Sequence, residues 1–375
     1  MKKFLPLIIR GAILTFLVIV LIVLSILKNN PDVCEAMTRG FSRAYGLVMS
    51  KITGWIPFSV TELTFITMFL GIIALLVFGI INIVKKKYVV AISRAIEIAG
   101  IIIFSLNMYY LSCEFAYNRK SMPIPYYEEK VLNSEHVSIY NYYADDINLC
   151  ISELEFEETG EVKTSMSLQD IASEVEKAYS IIDGNDYFAP HFGGAKPMLS
   201  SFIYREFQIT GVTYSPLAEA NINILNTKTG IPLTVTHELA HTKGVMREND
   251  ANQLAFYICI NSDSPYLRYS AYTAYFYQIY VLINDDYIDE EEKENIHKIN
   301  ATFAKTMNYE RDYWSKHDLL GDIGEWFNDL YIKMSGVKEG TASYSGGTEY
   351  IEDKEKKELT PSDYQKLLFE KYYRS

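Results

Sequence analysis

Thr236-His237-Glu238-Leu239-Ala240-His241-Thr242-Lys243-Gly244 is the stretch on which the reading of this chain turns. It contains H-E-x-x-H. Residues four apart share a helix face, so His237 and His241 can present ring nitrogens to one Zn²⁺. Glu238 follows the first histidine and can reach a metal-bound water as a base. Val235, Leu239 and Ala240 give the helix an apolar side, and Gly244 ends it where the chain must turn. Two of the chain's six histidines fall at this spacing, which weighs against solvated surface residues as the explanation. A catalytic zinc takes three protein ligands and a water. A reversal at Gly244 carries Glu248, in the first turn of a following helix, back toward the metal. Asp250 is the alternative third ligand, or a partner that orients a histidine. Tyr214 and His317 are candidate donors to an oxyanion. His136 and His297 sit among charged and polar residues and are expected at the surface. His191 precedes two glycines in a turn.

Outward from the motif, Pro232 to Thr236 leads into its helix, and a second helix is expected from about Asn249 to Ile260. Upstream, Gly211–Pro216 and Glu219–Ile224 read as short extended segments. The latter alternates polar with apolar, the period of a strand with one wet face. Ser167 caps a helix whose Ile171, Val175, Tyr179 and Ile182 share a face. Residues 113–166 read as a linker and the start of an outer domain, and 167–334 as its main body. Within that body, Tyr266–Ile283 is apolar and rich in tyrosine, a buried helix rather than a fourth span. Residues 286–312 read as one charged amphipathic helix. Asp322–Met334 is another, with Ile323, Trp326, Phe327 and Leu330 as its apolar side. Residues 335–375 are a polar, Gly-containing segment and a terminal helix begun by Thr360 as cap and Pro361 at its first position.

The charge splits in the same place as the hydropathy. Residues 1–112 carry 11 Lys and Arg against 4 Asp and Glu, leaving 24 against 43 for the remainder. The acidic remainder excludes a phosphate-backbone partner, so no nucleic acid is expected. The basic part holds three apolar runs, about 4–27, 63–84 and 88–111. The first would span ~36 Å as a helix, enough for a bilayer core. Its Arg10 lies near one end and can snorkel. Arg94 and Glu97, three apart, can pair or face a neighbouring helix. Lys2, Lys3 and Lys85–Lys87 belong on the cytoplasmic side, which places the large domain outside. Between the first two runs, Val33–Ile52 reads as an amphipathic surface helix, followed by an aromatic edge at Trp55-Ile56-Pro57-Phe58. Four scattered cysteines and no CxxC pair exclude a disulfide scaffold or a zinc ribbon.

Several segments together resemble one family: the three N-terminal runs, Gly211–Pro216 with Glu219–Asn223, Pro232–His241, Gly244–Asn252 and Asn328–Lys333. The chain resembles the bacterial membrane family catalogued as domain of unknown function 3810. Glu248-Asn249-Asp250-Ala251-Asn252 is also similar to the E-x-x-A-N/D order of glutamate-type zincins, where the leading Glu binds zinc, although that Glu usually lies farther downstream. The resemblance implies three transmembrane helices followed by a mainly helical α+β, zincin-like extracytoplasmic domain with a small sheet. In zincins a strand beside the H-E-x-x-H helix aligns an extended peptide, which makes Glu219, Asn221 and Asn223 candidates for a substrate edge strand. The expected function is a zinc peptidase with one Zn²⁺ per chain, anchored in the lipid bilayer and acting on a peptide or protein. The alternative is a non-catalytic membrane sensor or assembly protein with a zinc site. An intramembrane protease is disfavoured because Thr234, Thr236, Thr242, Lys243 and Arg247 surround the motif.

Overall fold

Helices α1 (Leu5–Leu27), α2 (Pro31–Met37), α3 (Arg43–Thr53), α4 (Val60–Val84) and α5 (Tyr88–Ser112) form the N-terminal part of the computed structural model. The structure describes residues 4–284, 288–334 and 359–374. It divides into two units. The first is Met1–Ser121 with Ala189–Gly193 and Tyr214–Glu219, and the second is Met122–Phe188, Gly194–Thr213 and Ala220–Ser375. Lys2 and Lys3, and the polar stretch 335–358, lie outside the described residues.

In the first unit, α1, α4 and α5 are each long and apolar enough to cross a membrane. Both α1 and α4 pack along α5. The Asn107 amide on α5 donates to the Leu17 carbonyl of α1 at 3.0 Å. Arg10 does not stand alone: its guanidinium meets Glu97 at 2.8 Å, and Arg94 meets the same carboxylate at 2.6 Å. Helix α4 starts three residues before its apolar run because the Ser59 hydroxyl accepts the Glu62 N–H. The segment read as one amphipathic helix is α2 and α3 joined by a π-helical turn at Thr38–Ser42.

The second unit is mostly helical with small sheets. Helix α6 (Asn133–Glu153) lies within the stretch 113–166 read as a linker and the start of the outer domain. Its Ile139, Tyr143, Ile147 and Cys150 recur at helical spacing and are fully buried. His136 on the same helix is buried as well, not at the surface. Strands β1 (Glu155–Phe156) and β2 (Val162–Lys163) form an antiparallel ribbon. Helix α7 (Leu168–Ala178) starts at Ser167, whose hydroxyl accepts the Asp170 N–H while Asp170 accepts that of Ser167.

Strand β3 (Ala195–Pro197), helix α8 (Ser201–Glu206), and strands β4 (Gly211–Tyr214) and β5 (Glu219–Ile222) follow. The sheet order is β3-β5-β4, with β3 parallel to β5 and Lys196 opposite Asn221. Because β5 is the middle strand, Glu219, Asn221 and Asn223 are not an edge. Asn221 donates to the Val212 carbonyl at 3.1 Å and Asn223 to that of Ile209 at 2.9 Å, so their amides tie β5 to the segment before it.

Helices α9 (Ile231–Thr242), α10 (Glu248–Ile260) and α11 (Pro265–Ala274) pack on one another. From Ala251 onward α10 is buried on nearly every side, as its sequence AxQLAFYICI requires. Tyr266–Ile283 is buried over α11 but exposes Tyr277 and Tyr280, and it is broken into α11, α12 (Phe276–Tyr280) and a 3₁₀ turn, so no single helix there could cross a bilayer. The single helix expected over 286–312 is two, α13 (Glu290–Glu294) and α14 (Ala301–Lys316). Two asparagines seven apart on α6 hold the break open. Asn141 and Asn148 donate to the Asn295 and Lys298 carbonyls and accept the His297 and Asn300 N–H groups. Helix α15 (Gly321–Met334) exposes Ile323 and Trp326 rather than burying them. Helix α16 (Asp363–Arg374) starts one cap later than Thr360: Ser362 accepts the Gln365 N–H. Its Tyr364, Leu367, Leu368 and Phe369 complete the core.

Candidate metal centre

Helix α9 enters with Pro232 in its first turn, where the missing N–H costs nothing. Val235, Leu239 and Ala240 bury one side completely. The helix ends on Gly244, whose φ of 88° suits glycine. The Val245 N–H returns to the Ala240 carbonyl and the Gly244 N–H to that of His241, a Schellman stop. This turn does more than end the helix. It aims the Val245 carbonyl at His241 Nδ1, 2.7 Å away, which leaves Nε2 to face Glu248.

Arg247 is extended, and Glu248 is the first residue of α10. Its Oε2 lies 3.2 Å from His237 Nε2 and 3.5 Å from His241 Nε2. One ligand atom from each of His237, His241 and Glu248 falls within 4.8 Å of the others, the one such group among the described residues. The two imidazoles stand edge to face, centroids 4.7 Å apart. Burial pushes the Glu248 carboxyl up, but His241 and His237 outweigh it and hold the group well below the usual carboxylate range. Burial disfavours a charged His241, yet the Glu248 carboxylate raises it to about 9. Asp250 points elsewhere: its carboxylate is 2.8 Å from Arg247 and is not part of the group.

Glu238 is buried, and burial raises its pKa against the opposing pull of His237 and His241. Its carboxylate lies 2.7 Å from the Thr213 hydroxyl of β4, which is also 2.9 Å from the Glu238 carbonyl. Gly211, two residues earlier, has no side chain for a reason: a Cβ there would come within 2.6 Å of the Glu238 side chain. Strand β4, not β5, is therefore the strand against Glu238, and it lies at the edge of its sheet. Helix α9 is fixed from its other side by α7 and the turn after it, where Tyr179 donates to the Thr236 carbonyl and Lys243 meets Glu176 at 3.0 Å.

The remaining candidates lie outside the group of His237, His241 and Glu248. The Tyr214 ring packs on Phe65 with centroids 4.8 Å apart. His317 caps the end of α14 and meets Glu206 at 3.0 Å. His297 is exposed beside Asp145, as its surroundings suggested, and His191 lies in an irregular loop. The Glu219 carboxylate accepts the Thr61 N–H and hydroxyl. Sequence reasoning missed Thr213, Gly211 and Val245; the extended pattern over Gly211–Tyr214 was the available signal for the first two.

A family model described as protein of unknown function (DUF3810) matches residues 38–351, and the chain belongs to that family. No curated protein and no solved structure matches it.

Proposed function

We propose that this member of the family is a membrane-anchored, zinc-dependent peptidase that hydrolyses peptide bonds outside the cytoplasmic membrane. The observation that carries this reading is the convergence of His237, His241 and Glu248 beside a buried Glu238 that is not itself part of the group. The donor set fits zinc: two imidazole nitrogens and one carboxylate, with one imidazole oriented by a main-chain carbonyl. Structural zinc sites close with four protein ligands, whereas the group here has three among the described residues. A bound zinc would supply a water acidified to a pKa of about 7 and a Lewis acid for the scissile carbonyl. Glu238 would accept the proton of the attacking water and return it to the leaving amine. Thr213 would hold that carboxyl in place, and the edge strand β4 would align an extended peptide. Lys85–Lys87, in the turn between α4 and α5, argue for a cytoplasmic turn and hence for residues after 112 lying outside.

The second reading is a non-catalytic membrane sensor or assembly protein with a zinc site. It is favoured by the close approach of Glu248 to both histidines, which makes the three a self-contained cluster. Glu238→Gln separates the two. With the purified full-length chain and a peptide library, cleavage should fall by about 10² or more while zinc content is unchanged. Equal cleavage by the variant would refute the mechanism. Loss of zinc from the variant, or no cleavage by either protein, would favour the binding module. A reporter fused at Ser375 should be active only outside the cytoplasm; activity only inside would reverse the orientation.

A further inference from the structure

Helix α3 is amphipathic the wrong way round for water. Its hydroxyls face inward. Ser42, just before it, donates to the Leu111 carbonyl at 2.8 Å, and Tyr45 donates to that of Pro216 at 2.7 Å. Thr53 lies 3.2 Å from the Leu217 carbonyl. Ser42, Ser50 and Thr53 are buried. The outward face is largely apolar: Phe41, Ala44, Val48 and Ile52 recur at helical spacing and are exposed, Val48 by 56% and Ile52 by 59%, with Lys51 as the exposed charge of α3. Trp55 continues the stripe beyond the helix end with 89% of its surface exposed, and Phe58 follows. A surface helix in water shows the opposite pattern, polar outside and apolar within.

The chain around α3 identifies its solvent. It lies between α1 and α4, two of the helices apolar enough to span a bilayer. Its stripe runs through Trp55 and Phe58 into the exposed Leu63, Phe65, Ile66 and Phe69 of α4. Tryptophan concentrates at the membrane–water boundary, where an apolar ring and a polar N–H are both satisfied. We infer that α3 lies in the headgroup–acyl boundary of the bilayer, with Phe41, Val48, Ile52 and Trp55 in contact with lipid. This rests on the reading that α1, α4 and α5 span the membrane. Its consequence is local to the first unit: the face of α3 away from lipid grips the Pro216 and Leu217 carbonyls, so the turn between β4 and β5 is held by a lipid-anchored helix.

The chain has three tryptophans, so Trp314→Phe with Trp326→Phe leaves Trp55 as the single reporter. In proteoliposomes of the full chain, lipids brominated high on the acyl chain should remove most of the Trp55 emission, and aqueous acrylamide little of it. A companion chain without Trp55 carries Phe69→Trp, an exposed site well inside α4, and should be quenched best by lipids brominated deep. Acrylamide quenching of Trp55 with no effect of brominated lipid, while the companion responds to lipid, would overturn the α3 placement and leave the spanning helices standing. Failure of both reporters would overturn the placement together with the spanning reading. A lipid-soluble diazirine on the unaltered chain gives an independent result, expected to mark Phe41–Phe58. Absence of label there with label in α4, or cross-links through this stripe between two copies, would assign the face to another occupant.

Discussion

Asp146 and Glu248 are both partly buried carboxylates of the second unit, and both are held below the ordinary carboxylate range against the upward push of burial. Their company differs. Asp146 meets Lys371 at 2.9 Å and Arg268 at 3.2 Å and accepts the Tyr272 hydroxyl. Lys371 also donates to Tyr272 at 2.8 Å. Ammonium and guanidinium are donors without lone pairs, so these two partners occupy the carboxylate and offer nothing to a metal. It joins α6, α11 and α16. Glu248 instead meets two imidazoles, whose ring nitrogens offer lone pairs when neutral. A carboxylate among permanent cations is a fastening; a carboxylate among histidines has the donor set that the proposed zinc site requires.

The largest effect should come from the fastening. Asp146→Ala leaves Lys371 and Arg268 buried without their acid, which costs about 3–5 kcal/mol. Chemical denaturation should show that loss, while zinc per folded chain stays at the wild-type level. If zinc falls in step with stability, the two clusters are not independent.

Next comes the ligand set. Glu248→Gln should weaken zinc binding by about 10² or more, beyond the usual effect of losing an outer partner, and Asp250→Asn by about 10-fold at most. Metal titration of the two variants decides it; the reverse ranking would move the third ligand to Asp250.

The smallest effect is a pH dependence. Asp146 is depressed in the folded chain by Lys371, Tyr272 and Arg268. Its contribution to stability is therefore complete above the ordinary aspartate value of about 3.9 and is lost as pH falls through the lower folded value. Asp146→Asn should flatten that acid limb. Zinc should leave at higher pH, because histidines must be neutral to bind it. Simultaneous loss of zinc and fold on acid titration would merge the two regions that this account separates.

Much of the candidate ligand set is legible from spacing alone. His237, His241, Gly244 and Glu248 lie within twelve consecutive residues, and one helix period plus one turn brings them together. The strand beside Glu238 is not legible in that way. Whether β4 or β5 forms the edge depends on β3, three residues with no periodic signal, pairing in parallel with β5. Helix α6 was hidden because Ile139, Tyr143, Ile147 and Cys150 alternate with Asn, Asp and Ser. Its asparagines serve the distant segment 295–300. His136 shows the same limit: Glu135 beside it in sequence suggested solvent, yet burial in the fold lowers its pKa to about 4. The inverted face of α3 was visible as amphipathicity, but only the hydrogen bonds of Ser42 and Tyr45 show which side is inside.

The central claim is that His237, His241 and Glu248 hold a metal. Elemental analysis of the full-length chain, purified without chelators, tests it most directly. The account predicts about one zinc per wild-type chain and none in a folded His237→Ala variant. No stoichiometric transition metal in the wild type, or equal zinc in both proteins, would contradict it.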